Sequence, residues 1–155
     1  MTRSTQIWTL VAFAAVALGV ASHGIEAFRA LAEVKRLHYS GKPLHENAVA
    51  RARLADAEAS VSAARVAFHA EARRAWDAVV AGDALDDAAN ARVTAASVLA
   101  AGAATRALDA LYPLAGMAAL FTDSEFGRCW RDLHTVVQHG LLTPARAESV
   151  SVAAP

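Results

Sequence analysis

Three clusters of turn-forming residues divide this chain, and between them the sequence carries helical periodicity. The breaks are Gly41-Lys42-Pro43, Gly82-Asp83 and Pro113 to Gly116. The stretches they separate hold few glycines or prolines, and no alternating apolar–polar pattern runs for long. About a quarter of the residues are alanine, the strongest intrinsic helix former. Four helices are predicted, over about 5–38, 44–81, 86–114 and 123–139. A chain of 155 residues is long enough for one hydrophobic core. The expected fold is all-α, an up-and-down four-helix bundle over 1–142, with a small, polar, flexible tail over 143–155.

Residues 1–21 admit two readings. Arg3, an almost wholly apolar run over 7–21 and then Ser22 have the layout of a secretory signal, or of a membrane anchor shorter than a comfortable span. The apolar pattern does not stop there, however, and continues through Ile25, Phe28, Leu31, Ala32 and Val34. A helix that faces core on several sides is apolar nearly all round, so the bundle reading is favoured. Lys35, Arg36 and His38 fall in its expected last turn, where positive charge suits the helix dipole.

In the second segment Val49, Leu54, Val61, Ala64, Phe68, Ala75 and Val79 track one stripe. Arginines at 51, 53, 65, 73 and 74 interleave with Asp56, Glu58, Glu71 and Asp77, the pattern of a solvated face with helical ion pairs. The third segment starts at an Asp83 or Asp86 cap, and its many small residues predict close helix approach. Fifteen basic residues balance fifteen acidic ones, which gives no electrostatic footprint for nucleic acid. The single cysteine excludes an internal disulfide and fits a reducing, cytoplasmic setting.

The stretch FTDSEFGRCWRDLHTVVQHG, residues 121–140, concentrates the chemistry. Thr122 and Glu125 have capping-box spacing, with Asp123 and Ser124 as competing caps, and Gly140 is placed for a left-handed C-terminal cap. Phe126, Trp130, Leu133 and Val137 form the expected buried stripe. Arg128 and Asp132 lie one turn apart as a structural ion pair. On a straight helix Asp132 and His139 share a face, while His134 is rotated about 140° from His139. The two histidines then cannot converge on one small site, which argues against a metal pair.

RCWRDLHTVVQHG, preceded by LYPLAGMAALFTDSEF, resembles the end of the acyl-CoA dehydrogenase-like C-terminal helical domain. ALGVASHGIEAFRALAEVK is similar to the first helix of that domain. The nearer likeness is to the branch found in two-component flavin-dependent monooxygenases of the p-hydroxyphenylacetate hydroxylase oxygenase and dibenzothiophene monooxygenase type. In true dehydrogenases an Arg-Asp pair is followed about two turns later by Glu-Gly, whose glutamate is the catalytic base. Here Arg131-Asp132 is followed by His139-Gly140, so that base is missing, whereas the monooxygenase branch has a histidine in this region.

The resemblance implies a role for each residue. His139 is the catalytic candidate beside the flavin, because imidazole holds or gives a proton near neutral pH. His134 is the weaker second candidate. Without the resemblance His139 reads first as a helix C-terminal histidine favoured by the dipole, and only with it do the two readings stand level. Arg131 and Arg36 are the cofactor-binding candidates. Arg36, or Lys42 in its place, would stand for the family arginine that reaches a flavin phosphate across a subunit interface, although KRLHYSGKP keeps only a loose echo of that string. The implied cofactor is FMN or FAD. The implied partners are further copies of the chain (a tetramer in the family), a flavin reductase, and the N-terminal and β-domain portions that accompany this bundle. The expected function is the C-terminal helical domain of a flavin-dependent oxidoreductase, a monooxygenase using reduced flavin and oxygen, inactive alone. The alternatives are a noncatalytic helical oligomerisation module and an exported or membrane-tethered helical protein. The substrate is left open.

Overall fold

The computed structural model describes residues 3–143. It contains α1 (Arg3–Val34), α2 (Ala48–Val80), α3 (Asp87–Ala115) and α4 (Glu125–Val136), with 3-10 turns at Leu44–Glu46 and Gly116–Ala119. Long-range contacts fix the directions. Trp8 meets Trp76 and Arg29 pairs with Glu58, so α2 runs antiparallel to α1. Ile7 packs with Val93 and Lys35 reaches the carbonyls of Leu114 and Ala115, so α3 runs parallel to α1. His23 meets Glu125 and Phe13 meets His139, so α4 returns antiparallel. The result is an all-α, up-and-down four-helix bundle.

One large core cluster fills the bundle and a smaller one, Ile7, Ala75 and Val93, lies at its other end; α1 and α3 each pack against the other three helices. Phe28, Phe68 and Phe126 are each at most 2% exposed, and burying one such ring contributes about 1.5–3 kcal/mol. The stretch Gln6–Val34 is also long and apolar enough to cross a membrane, with mean hydropathy 1.7; in this fold its apolar residues Leu10, Leu18, Ile25 and Phe28 meet protein. On α2, Val61, Phe68 and Ala75 are buried, while Val49 and Val79 of the expected stripe are exposed. On α3, Thr94, Ser97, Ala100, Ala104 and Leu108 are buried, in keeping with close approach.

The helix ends differ from the sequence spans for identifiable reasons. α1 stops at Val34 because the next residues make their own hydrogen bonds. Leu44 N–H donates to Lys35 O and Leu37 N–H to Lys42 O, both at 2.8 Å, around the isolated Arg36–Pro43 bridge. Asn47 then caps α2 by accepting from Ala50 N–H, and Asp86 rather than Asp83 caps α3 by accepting from Ala89 N–H. Ser124 is the cap of α4 and accepts from Gly127 N–H at 3.1 Å. α4 ends at Val136, and Gly140 is not among the positive-φ glycines. The last turn tightens instead, with Gln138 N–H to Thr135 O at 3.3 Å and His139 N–H to Val136 O at 3.2 Å. Leu142, 4% exposed, then draws the chain back onto the core. Apart from Thr143, the predicted tail lies outside the described residues.

Two glycines mark where helices come closest. A Cβ on Gly24 of α1 would stand 2.9 Å from Leu108 Cδ1 and 3.2 Å from Cys129 Cβ. A Cβ on Gly127 of α4 would stand 2.1 Å from the backbone oxygen of Ala119. The second contact seats the start of α4 on the turn before it.

Candidate functional site

The two histidines of the α4 region occupy different surroundings. His134 is held between α4 and α3. Its Nδ1 lies 2.9 Å from Trp130 O and, because a carbonyl only accepts, must donate. Its Nε2 lies 3.2 Å from Asp109 Oδ1 on α3. The same carboxylate oxygen accepts from Trp130 Nε1–H at 2.9 Å. The His134 ring stacks on Trp130 with centroids 4.0 Å apart, and Trp130 stacks on Tyr112 at 4.5 Å.

His139 lies beyond the end of α4, in the turn that leads to Leu142. Its ring stacks on Phe13 of α1, with centroids 4.1 Å apart and an interplanar angle of 24°. Nδ1 accepts a hydrogen bond from Leu141 N–H at 3.3 Å. An accepting Nδ1 places the proton of the neutral ring on Nε2. The residue is exposed, so this ring is oriented by the fold and presents a donor at its outer end. Because α4 stops short of His139, the rotation expected for a straight helix does not apply. The structure leaves the two histidines apart, His134 against α3 and His139 against α1.

The remaining candidates are spread along the bundle. Arg128 pairs with Asp132 at 3.7 Å and with Glu125 at 3.8 Å. All three side chains are more than half exposed, so each pair contributes only a few tenths of a kcal/mol. Among the described residues Asp132 pairs with Arg128 and His139 with Leu141 and Phe13, so no hydrogen bond or ion pair joins the two. Arg131 is exposed, with its guanidinium lying close over Gly127. Arg36 follows α1 and donates to Gly41 O at 3.0 Å. Phe13, which carries His139, lies roughly 30 Å back from there along α1 at 1.5 Å per residue. Arg36 and His139 therefore lie far apart along the bundle.

Several contributors were not singled out by sequence reasoning. Asp109 joins Trp130 and His134, and it is the one acidic residue between Asp87 and Asp123, a signal that was legible. Phe13 had no such mark, because its partner is distant in sequence. Lys35 was assigned to the dipole of its own helix. Instead its Nζ donates to Leu114 O at 3.0 Å and to Ala115 O, closing the end of α3, and burial pulls its pKa below the usual lysine range. Cys129 is buried, and desolvation pushes its thiol up against the opposing pull of Arg128.

Among the described residues, no group of three or more His, Cys, Asp or Glu side chains is placed to hold a metal ion. Open grooves are lined by Glu71, Arg74, Asp86 and Arg92 at the α2–α3 turn, and by Trp8, His69, Arg73 and Trp76 nearby. Neither involves α4. The α4 end instead carries an oriented imidazole, His139, and an exposed guanidinium, Arg131.

Residues 11–144 match the family described as acyl-CoA dehydrogenase, C-terminal domain. The indole-3-acetate monooxygenase of Pseudomonas putida is 30% identical over 128 residues, covering 82% of this chain and 33% of that protein. The enzyme of the same name from Acinetobacter baumannii is 26% identical over 149 residues, covering 96% of this chain and 37% of that protein. Among solved structures, XiaF from Streptomyces sp., in complex with FADH2 and glycerol, has a TM-score of 0.86 at 22% identity, covering 94% of this chain and 37% of its own. The 3-HSA hydroxylase from Rhodococcus sp. RHA1 has a TM-score of 0.80 at 23% identity, covering 93% of this chain and 37% of its own. These two likenesses show the fold. The chain spans about a third of the length of the relatives it matches. It belongs to the acyl-CoA dehydrogenase C-terminal domain family, on the side of that family whose named relatives are monooxygenases.

Proposed function

We propose that this bundle is the C-terminal helical domain of a flavin-dependent monooxygenase and forms one wall of its flavin site. The observation that carries the reading is His139, held by Phe13 on one side and by Leu141 N–H at Nδ1, with its proton on Nε2. When bound, reduced flavin supplies the electrons that activate oxygen. His139 would hold a proton at Nε2, available to a group bound beside it. Its stacking on Phe13 closes one side of the ring to water. Arg131 supplies positive charge on α4, the helix that precedes His139. His134 is the second candidate. With both nitrogens taken by Trp130 O and Asp109, its part is to hold α4 against α3. The Arg128–Asp132 pair trims the exposed face of α4.

Arg36 fits a different place. At the far end of the bundle from His139, it suits a flavin phosphate bound by a neighbouring copy, which requires a homo-oligomer, a tetramer by family analogy. XiaF, solved with FADH2, favours FAD over FMN as the cofactor. A separate reductase would deliver it reduced. The dehydrogenase chemistry of the wider family is not supported, because His139-Gly140 stands where the Glu-Gly base belongs. One buried thiol and no disulfide suit the cytoplasm.

The test is a hybrid in which this chain replaces the matching third of the Pseudomonas putida relative. His139→Ala should raise the hydrogen peroxide released per oxygen consumed toward one, as expected for loss of a positioned acid–base group. Unchanged coupling removes His139 from the chemistry.

A further inference from the structure

Two of the three tryptophans form a corner on the surface, where α1 begins and α2 ends. Trp8 and Trp76 meet edge to face, with centroids 5.5 Å apart and planes at 82°. Trp8 is accounted for, because it packs against the small core cluster of Ile7, Ala75 and Val93. Trp76 is 52% exposed, although indole carries one of the largest apolar surfaces of any side chain. His69, Ala72 and Arg73 join the two rings in lining an open groove. His69, Arg73 and Trp76 follow at steps of four and three, so they share one face of α2.

The groove is one-sided in its hydrogen bonding. Both indoles carry an N–H, Arg73 carries a fork of donors, and His69 can donate from its ring. Among the described residues no hydrogen bond or ion pair occupies any of these four side chains. No carboxylate lines the groove. Of the acids nearest on α2, Glu71 pairs with Arg74 and with Arg92 of α3, and Asp77 lies outside the lining. α1 has no acidic residue before Glu26. In a chain whose formal charges sum to zero, this donor surplus is local.

We propose that this corner binds a small aromatic carboxylate. The ligand ring lies against the indoles, and its carboxylate takes the Arg73 fork with His69 as a second donor. A plain hydrocarbon would leave the arginine and imidazole without an acceptor, and an inorganic anion would leave the indole bare. Side chains three residues apart on a helix stand about 5–6 Å apart at their bases. One or two fused rings with a directly attached carboxylate span that distance. The site is separate from the flavin wall. Trp8 and Phe13, which carries His139, are five residues apart on α1 and so point about 140° apart around it. The inference therefore does not depend on the flavin reading.

The test is a titration of the purified, isotope-labelled chain, followed by nuclear magnetic resonance at its three indole N–H signals. Replacing each tryptophan by phenylalanine assigns them. The probes are naphthoate and its uncharged twin, naphthamide. Naphthoate should shift the Trp8 and Trp76 signals saturably, with a Kd on the order of 1 mM, and leave Trp130 in place. Naphthamide should bind about fivefold more weakly, the modest gain of an exposed ion pair. Arg73→Gln should erase that preference without changing the affinity for the amide, whereas Arg53→Gln should keep it. Arg73 is a surface position, so the variant should keep its fold, which helical circular dichroism verifies. Shifts that never saturate, equal affinity for acid and amide, or a preference that survives Arg73→Gln overturns the inference.

Discussion

Gly127→Ala tests how α4 is seated. An added methyl would stand 2.1 Å from Ala119 O and 3.0 Å from Ala119 C, and both are backbone atoms. A side chain could rotate away, but a carbonyl in a 3-10 turn cannot, so the helix must lift by more than an ångström. Lifting it loosens Phe126 and Cys129, which are 2% and 3% exposed. Overpacking of this kind costs about 1–3 kcal/mol and occasionally more. Against it stands the helix-propensity gain of alanine over glycine, about 1 kcal/mol. The contact is backbone on backbone, so the steric cost should sit at the top of its range. The net loss is then about 2 kcal/mol, or roughly 4–8 °C in Tm for a chain of this size. Gly19→Ala is the internal control, because nothing lies within 4 Å of its Cβ position. It should gain about 0.5–1 kcal/mol. Urea unfolding followed by helical circular dichroism reads both. If Gly127→Ala matches or exceeds wild type while Gly19→Ala behaves as stated, the close seating of α4 is wrong.

Other outcomes follow from the same contacts. Asp109→Ala leaves Trp130 Nε1 without its acceptor and removes the carboxylate 3.2 Å from His134 Nε2; at this half-exposed site it should cost about 1 kcal/mol in urea unfolding. Burial raises the Cys129 pKa above 9.0, so the native thiol should resist a thiol reagent at a pH where the urea-unfolded chain reacts. The sign follows from linkage: the stability tied to the neutral thiol is fully present below the unfolded value and declines as pH climbs through the raised native one. In the monooxygenase hybrid, Phe13→Ala should reproduce part of the His139→Ala peroxide leak while leaving reductase-supplied flavin binding intact. Full coupling in that variant would show that the stack does not orient the ring.

Much of the architecture was legible because local chemistry set it. The turn residues at Gly41, Gly82 and Gly116 adopt positive φ, where glycine has least cost. Asp86 sat before the small-residue helix that it caps. What escaped reading depended on distant partners. α1 ends early because Lys35 O and Lys42 O are taken up across a loop. α4 ends early because Leu142 returns to the core. The site shows the same division. The composition of residues 121–140 marked α4, but Phe13 under His139 and Asp109 beside His134 come from other helices. No spacing rule within α4 could have separated a histidine locked into the fold from one presented at its edge.

The central claim is that the bundle supplies one wall of a flavin site and not the whole. The direct measurement is reduced-FAD binding by the purified chain, beside binding by the same chain joined to the other two-thirds of the Pseudomonas putida relative. The chain alone should hold no stoichiometric flavin, and the joined protein should bind it. Stoichiometric flavin on the chain alone, or a folded joined protein that binds none, would contradict it.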